Sequence, residues 1–130
     1  MKKILIVDDK ATSRELLRTV LEKQGYTIIE ASNGQEALEK TRSEAPDLIL
    51  LDLQMPLRNG YEVLAELRKD PAYAKLPIIA LTASAMQGDR EKALAAGFTG
   101  YLAKPVTLAD LRTEVQQLLE PGSARSAKSS

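Results

Sequence analysis

The sequence predicts an α/β fold of the doubly wound kind, a five-stranded parallel sheet in the order 2-1-3-4-5 with five helices on its two faces. Three observations lead there. Five short apolar runs alternate along the chain with five stretches in which apolar residues recur at helical spacing. The runs are apolar at successive positions rather than at every second one, as strands covered on both faces are. Strict alternation of strand and helix then brings right-handed crossovers, which join all five runs in one parallel sheet.

Each element has its own signal. Ile4 to Val7 is continuously apolar, and the segment after it carries Leu17, Val20 and Leu21 at helical spacing before Gly25, a helix stop. Tyr26 to Ala31 is β-branched and apolar enough for the second strand. Asn33 followed by Glu36 is an N-cap with an acid three residues on, and opens a helix running to about Glu44. Pro46 separates that helix from the third strand, Asp47 to Asp52. Asn59 and Glu62 repeat the capping pattern for the helix of Val63, Leu64 and Leu67, which Asp70-Pro71 ends. Pro77 to Thr82 is the fourth strand. Ser84 to Gln87 is expected to cap a fourth helix lasting to about Ala96, closed by Gly97. Thr99 to Ala103 is the fifth strand. Thr107 begins the last helix, whose Leu108, Leu111, Val115 and Leu118 form a stripe, and Pro121-Gly122 stops it.

This reading makes residues 1–120 one domain and residues 121–130 a flexible polar tail without apolar anchors. A chain of 130 residues is long enough to bury roughly two-thirds of its unfolded surface around a single core. With the fold complete by residue 120, no output domain is expected.

Composition excludes several chemistries. Lys+Arg and Asp+Glu number 18 each, and Arg125 and Lys128 lie in the last ten residues, which leaves 16 basic against 18 acidic residues before them, a net of −2. Such a mildly acidic body points to no nucleic acid and no anionic membrane. There is no cysteine and no histidine. Disulfides, thiolate chemistry, imidazole bases and histidine metal ligands are all absent, so any metal must be held by oxygen. The lack of cysteine fits a reducing, cytoplasmic setting. The apolar start of the chain stops at Asp8-Asp9, too early for a signal peptide, and no run approaches the ~18 apolar residues of a membrane span.

The chemistry concentrates at strand ends. Asp8 and Asp9 follow the first strand, Asp52 closes the third, Thr82 closes the fourth and Lys104 follows the fifth. In a parallel sheet these five residues meet on one edge. In the order 2-1-3-4-5 the winding reverses between strands 1 and 3, and ligands bind outside the carboxyl ends at that switch point. Two carboxylates ~5 Å apart repel by about 3 kcal/mol at an effective dielectric near 20, so three together are unfavourable without a cation or protons, and a divalent ion is the simpler answer. Oxygen-only ligation suits Mg2+, and Mg2+ with Lys104 would neutralise a phosphoryl group in transfer. Asp52, alone at the end of the central strand, is placed to be the nucleophile, and Thr82 can donate a hydrogen bond to a phosphate oxygen.

This pattern resembles the receiver domains of two-component response regulators, of the CheY-like, stand-alone type. The likeness covers about residues 2–120. It rests on Asp8-Asp9, on Asp52 with Met55-Pro56 and Gly60, on Thr82-Ala83 and on Lys104-Pro105, in register with five β/α units. The resemblance implies that Asp52 accepts a phosphoryl group from a phosphohistidine on a sensor histidine kinase or a histidine phosphotransfer protein. It implies Mg2+ held by Asp9, Asp52 and the backbone carbonyl of Gln54, with Asp8 holding a metal-bound water. Lys104 would pair with the phosphate and Thr82 would move to bond it. Tyr101 would be an aromatic switch whose inward rotamer follows Thr82 and reshapes the face of helix 4, strand 5 and helix 5, where an unidentified downstream protein binds. The side chains of Gln54 and Ser84 occupy positions that tune hydrolysis of the acyl phosphate in this family, and its Lys-Pro bond is cis. The expected species is a monomer, with a phosphorylation-dependent dimer as the alternative.

Rival functions fit less well. A Mg2+-dependent aspartyl phosphatase usually carries a second Asp two residues after the nucleophile, where this chain has Gln54, and no cap domain fits in the length. A flavin carrier would need a Ser-, Thr- or Gly-rich phosphate loop where Asp8-Asp9-Lys10 stands. The chain is therefore expected to promote its own phosphorylation and dephosphorylation without turning over an external substrate. A phosphate shuttle or sink in a multistep relay remains the alternative to a terminal switch.

Overall fold

A computed structural model describes residues 2–55, 59–83 and 86–119. Its strands are β1 (Lys3–Val7), β2 (Thr27–Ala31), β3 (Leu48–Asp52), β4 (Ile78–Thr82) and β5 (Gly100–Ala103). They alternate with α1 (Ala11–Glu22), α2 (Gly34–Glu44), α3 (Gly60–Arg68), α4 (Asp89–Ala96) and α5 (Leu108–Leu119). The sheet is parallel throughout, in the order β2-β1-β3-β4-β5.

Successive strand residues point to opposite faces, so each apolar run feeds two cores at once. Leu5, Val7, Ile49, Leu51, Ile78 and Ala80 face α2, α3 and α4, where they meet residues such as Leu38, Leu64 and Ala93. Ile4, Ile6, Leu48, Leu50, Ile79 and Leu81 face α1 and α5, where they meet Leu17, Leu21, Leu111 and Val115. This division of helices is what right-handed crossovers impose: the link from β1 to β2 runs opposite to the three that follow it. The reversal falls between β1 and β3 and opens a crevice at their carboxyl ends.

Both predicted asparagine caps form. Asn33 accepts from the Glu36 N–H at 2.8 Å. Asn59 and Glu62 make a reciprocal capping box at 3.0 Å in each direction. Thr107 Oγ1 accepts from the Asp110 N–H at the start of α5.

The fourth helix departs from expectation. It starts at Asp89, not at a Ser84 cap, and the described Met86 and Gln87 lie outside it. Gly88 adopts a left-handed φ of 89°, and the Asp89 carboxylate accepts from the Met86 N–H at 2.9 Å. Gly88 is thus the N-cap and no side chain caps α4; the Asp89 contact instead ties the first helical residue back to the preceding turn. A short 3-10 turn, Pro71–Tyr73, also stands between α3 and β4, capped by Asp70. Ser84, Pro56 and the 121–130 tail lie outside the described residues.

Candidate phosphoryl and cation site

The site forms where the chain leaves the sheet. Asp8 is the first residue beyond β1, Asp52 ends β3, Thr82 ends β4 and Lys104 follows β5. Asp8, Asp52 and Thr82 are almost wholly buried, whereas Asp9 is exposed. Carboxylate oxygens of Asp8, Asp9 and Asp52 lie within 4.8 Å of one another. All five strand-end residues thus gather on one edge, as the topology requires.

Lys104 bridges two of the acids. Its Nζ donates to Asp8 Oδ2 at 2.7 Å and to Asp52 Oδ2 at 3.2 Å. Its backbone N–H donates to the Thr82 carbonyl at 2.7 Å, which ties the segment after β5 to the end of β4. The Lys104-Pro105 bond is cis. The other Asp52 oxygen, Oδ1, accepts from the Gln54 N–H at 2.9 Å, and Asp8 Oδ1 accepts from the Lys10 N–H at the same distance.

The electrostatics are frustrated. Three carboxylates face one ammonium, leaving two negative charges without a counter-charge in the cluster. Burial pushes the Asp52 carboxyl above its usual range; the Gln54 N–H and Lys104 pull it back, and Asp8 adds to the rise. For Lys104, burial acts downward, but its bonds and charge interactions with Asp8 and Asp52 outweigh it and hold the ammonium above its ordinary value. A divalent, oxygen-seeking cation fits this donor set: the excess charge matches, and the chain has no nitrogen or sulfur ligand to offer from His or Cys.

Gly60 completes the frame. A Cβ there would lie 2.8 Å from the Asp52 carbonyl oxygen and 2.9 Å from Leu53 Cα, so α3 can start this close to the end of β3 only with glycine. Tyr101 is turned inward, 8% exposed, against the core of the α2, α3 and α4 face. Its hydroxyl is buried without a hydrogen-bond partner among the described residues.

Two features were not anticipated from the sequence. Arg14 donates from Nη1 to the backbone carbonyl of Asp8 at 2.7 Å. Beside the site, sharing Ala83 and Lys104 with it, an apolar depression of about 470 Å3 runs between α1 and α5. Leu16 and Leu108, on its walls, are 64% and 52% exposed. Leu108, which helical spacing counts in the α5 stripe with Leu111 and Val115, is left largely outside the core that buries those two, because it stands in the first turn of the helix.

Sheet order, helix placement and the acid crevice define a receiver-type α/β domain. Comparisons with known proteins agree: the response regulator receiver domain family matches residues 4–116. The chain belongs to that family. It is 40% identical over 107 residues to the polar-differentiation response regulator DivK of Brucella anthropi, covering 82% of this chain and 87% of that one. It is 44% identical over 114 residues to an uncharacterised 14.6 kDa protein of Leptolyngbya boryana, covering 88% and 87% of the two chains. Among solved structures, the chemotaxis protein CheY4 of Vibrio cholerae superimposes with a TM-score of 0.85 at 33% identity, covering 92% of this chain and 99% of that one. The chain is thus a response regulator receiver domain of single-domain size, the kind of module used in two-component signalling. No helix among the described residues is long and apolar enough to cross a membrane.

Proposed function

We propose that this receiver works as a Mg2+-dependent phosphoryl acceptor in a two-component phosphorelay, with Asp52 as the acceptor. The observation that carries this reading is the cluster itself: three acids with ligand oxygens within 4.8 Å, two of them buried and bridged by one lysine. A carboxylate oxygen of Asp52 forms a bond to phosphorus while the P–N bond of a partner's phosphohistidine breaks, and the imidazole leaves with the electron pair and takes up a proton. Asp9, Asp52 and the Gln54 carbonyl would hold the Mg2+, with Asp8 beside them to orient a water. When bound, the cation neutralises charge on the phosphoryl oxygens.

The protein's own residues do the rest. Lys104 exchanges its contact with Asp52 for one with a phosphoryl oxygen, keeping Asp8 as its second partner. Thr82 supplies a hydroxyl from the adjacent strand. Its displacement acts on Tyr101, whose inward ring lines the boundary of α4, β5 and α5, the face taken to bind the downstream protein. The phosphodonor, a histidine kinase or a histidine phosphotransfer protein, must rest on the rim of the crevice. The apolar depression of Leu16, Pro105, Val106 and Leu108 adjoins that rim and suits a helix of the donor.

Intact mass after incubation with phosphoramidate, a small donor with a P–N bond, tests this reading. A single phosphoryl adduct that needs Mg2+ and is missing in Asp52→Asn is the expected result. An equal adduct in Asp52→Asn would remove Asp52 from its role.

A further inference from the structure

We infer that Arg14 is a positioning residue for the cation site, holding the Asp8–Asp9 peptide from behind, with Glu30 holding Arg14 in turn. The inference rests on the reading of the acid cluster as a Mg2+ site. It starts from how differently the two neighbouring acids are held.

Every polar group of Asp8 is engaged. Its N–H donates to the Ala31 carbonyl at 3.1 Å, Oδ1 accepts from the Lys10 N–H and Oδ2 accepts from Lys104. Its carbonyl, the oxygen of the peptide that leads into Asp9, accepts from Arg14 Nη1 at 2.7 Å. β1 has ended at Val7, so this peptide lies beyond the strand that the sheet bonds hold regular. Rotation of its plane would swing the Asp9 Cα–Cβ bond, and Asp9 is exposed, so burial does little to hold its carboxylate against such a swing.

Arg14 is itself oriented. Its Nε donates to Glu30 Oε1 at 3.0 Å, and its side chain is 17% exposed. The second Glu30 oxygen is occupied by Arg18, which also reaches Glu22 at 3.1 Å. Both arginines keep the Glu30 carboxyl below its usual range, that of Arg18 more strongly, against an opposing effect of burial. Arg14 therefore makes two divergent bonds, one to β2 and one to the Asp8 carbonyl. The two bonds leave from separate nitrogens of one rigid plane, Nε and Nη1, an arrangement that the single nitrogen of lysine reproduces only in part.

Charge and geometry predict opposite signs. Arg14 is a positive charge bonded beside an acidic cation site, so removing it should tighten Mg2+ if charge alone mattered. If Arg14 positions Asp9, removing it weakens Mg2+. The experiment is a Mg2+ titration of the unphosphorylated full chain followed by 15N amide shifts, which report folding in the same spectra. Arg14→Met is expected to weaken binding about tenfold, the low end for residues that orient metal ligands, Arg14→Lys by part of that, and Glu30→Gln, one contact further out, by about threefold. Glu30→Gln added to Arg14→Met should cause no further loss, because its effect passes through Arg14.

Arg14→Met binding Mg2+ as tightly as wild type, or more tightly, overturns the inference. If Arg14→Met loses its dispersed spectrum, Glu30→Gln decides: unchanged affinity in a folded chain overturns it as well. A wild-type chain with no saturable Mg2+ response overturns the cation reading itself, and this inference with it.

Discussion

Replacing Asp52 by Asn should stabilise the protein in the absence of Mg2+, although it removes one side of an ion pair. Lys104 stands 3.2 Å from Asp52 and, at an effective dielectric near 20, attracts it by about 5 kcal/mol. Asp8, within 4.8 Å, opposes this by about 3.5 kcal/mol at the same dielectric, and the exposed Asp9 by about 1 kcal/mol in a more watery one. The pairwise sum is close to zero. What remains is the cost of burying a carboxylate, several kcal/mol, set against the Gln54 hydrogen bond of about 2 kcal/mol. The rise in the Asp52 pKa carries the same sign: the folded state disfavours the charge. Asn keeps the volume and the acceptor for Gln54 N–H, and Lys104 keeps Asp8.

We expect Asp52→Asn to gain about 1 kcal/mol in EDTA, or about 4 °C in Tm for a domain of this size. A folded-state pKa above the ordinary 3.8 means that the folded chain binds the proton more tightly. Wild-type stability falls as pH rises through that window and recovers as pH falls, so the advantage of the variant shrinks toward acid and vanishes below 3.8. Added Mg2+ should stabilise wild type and narrow or reverse the gap. Thermal unfolding monitored by circular dichroism, with EDTA or Mg2+ and across pH, measures all of this. A variant less stable than wild type in EDTA would mean that burial does not penalise the Asp52 charge, and equal Mg2+ stabilisation of the two chains that Asp52 does not hold the cation.

Three further outcomes are expected. Lys104→Met leaves Asp8 and Asp52 buried without their cation and should lose about 3 kcal/mol in urea denaturation at neutral pH, with part recovered by Mg2+; a loss under about 0.5 kcal/mol would mean that the pair is solvated. Gly60→Ala gains about 1 kcal/mol of helix preference but forces a Cβ to 2.8 Å from the Asp52 carbonyl oxygen, so a net loss of about 1–2 kcal/mol is expected together with slower labelling by phosphoramidate, whereas a net gain in stability would contradict the close packing. Ala45 holds a left-handed φ of 48° at the end of α2, so Ala45→Gly should raise stability by about 1 kcal/mol in urea denaturation with no change in labelling; a loss of stability would count against that strain.

Much of the fold was legible because the central strands, β1, β3 and β4, are apolar on both faces. Runs such as that from Leu48 to Leu51 fit no solvent-facing element, and ending one in Asp52 makes sense only where something meets the charge. Caps with short-range partners, Asn33 with Glu36 and Asn59 with Glu62, were legible for the same local reason. The start of α4 was not. The expected cap precedes Gly88, but the glycine itself turns left-handed to become the N-cap, and the helix starts after it without a side-chain cap. Arg14 was also hidden, since nothing in local spacing tells which arginine of α1 folds back onto a backbone carbonyl six residues away. The Arg68 guanidinium illustrates the same limit: it donates to the carbonyls of Tyr73, Leu76 and Gly97, a set of contacts only the tertiary structure assembles.

The most direct test of the central claim locates the phosphoryl group on a residue. After labelling with phosphoramidate and Mg2+, borohydride reduction converts an aspartyl phosphate to homoserine, and peptide mass mapping then reads which acid was modified. Homoserine is expected at position 52 alone, dependent on Mg2+, with Asp8 and Asp9 intact. Homoserine at position 8 or 9, or no conversion at 52 in a chain that carries the label, would contradict it.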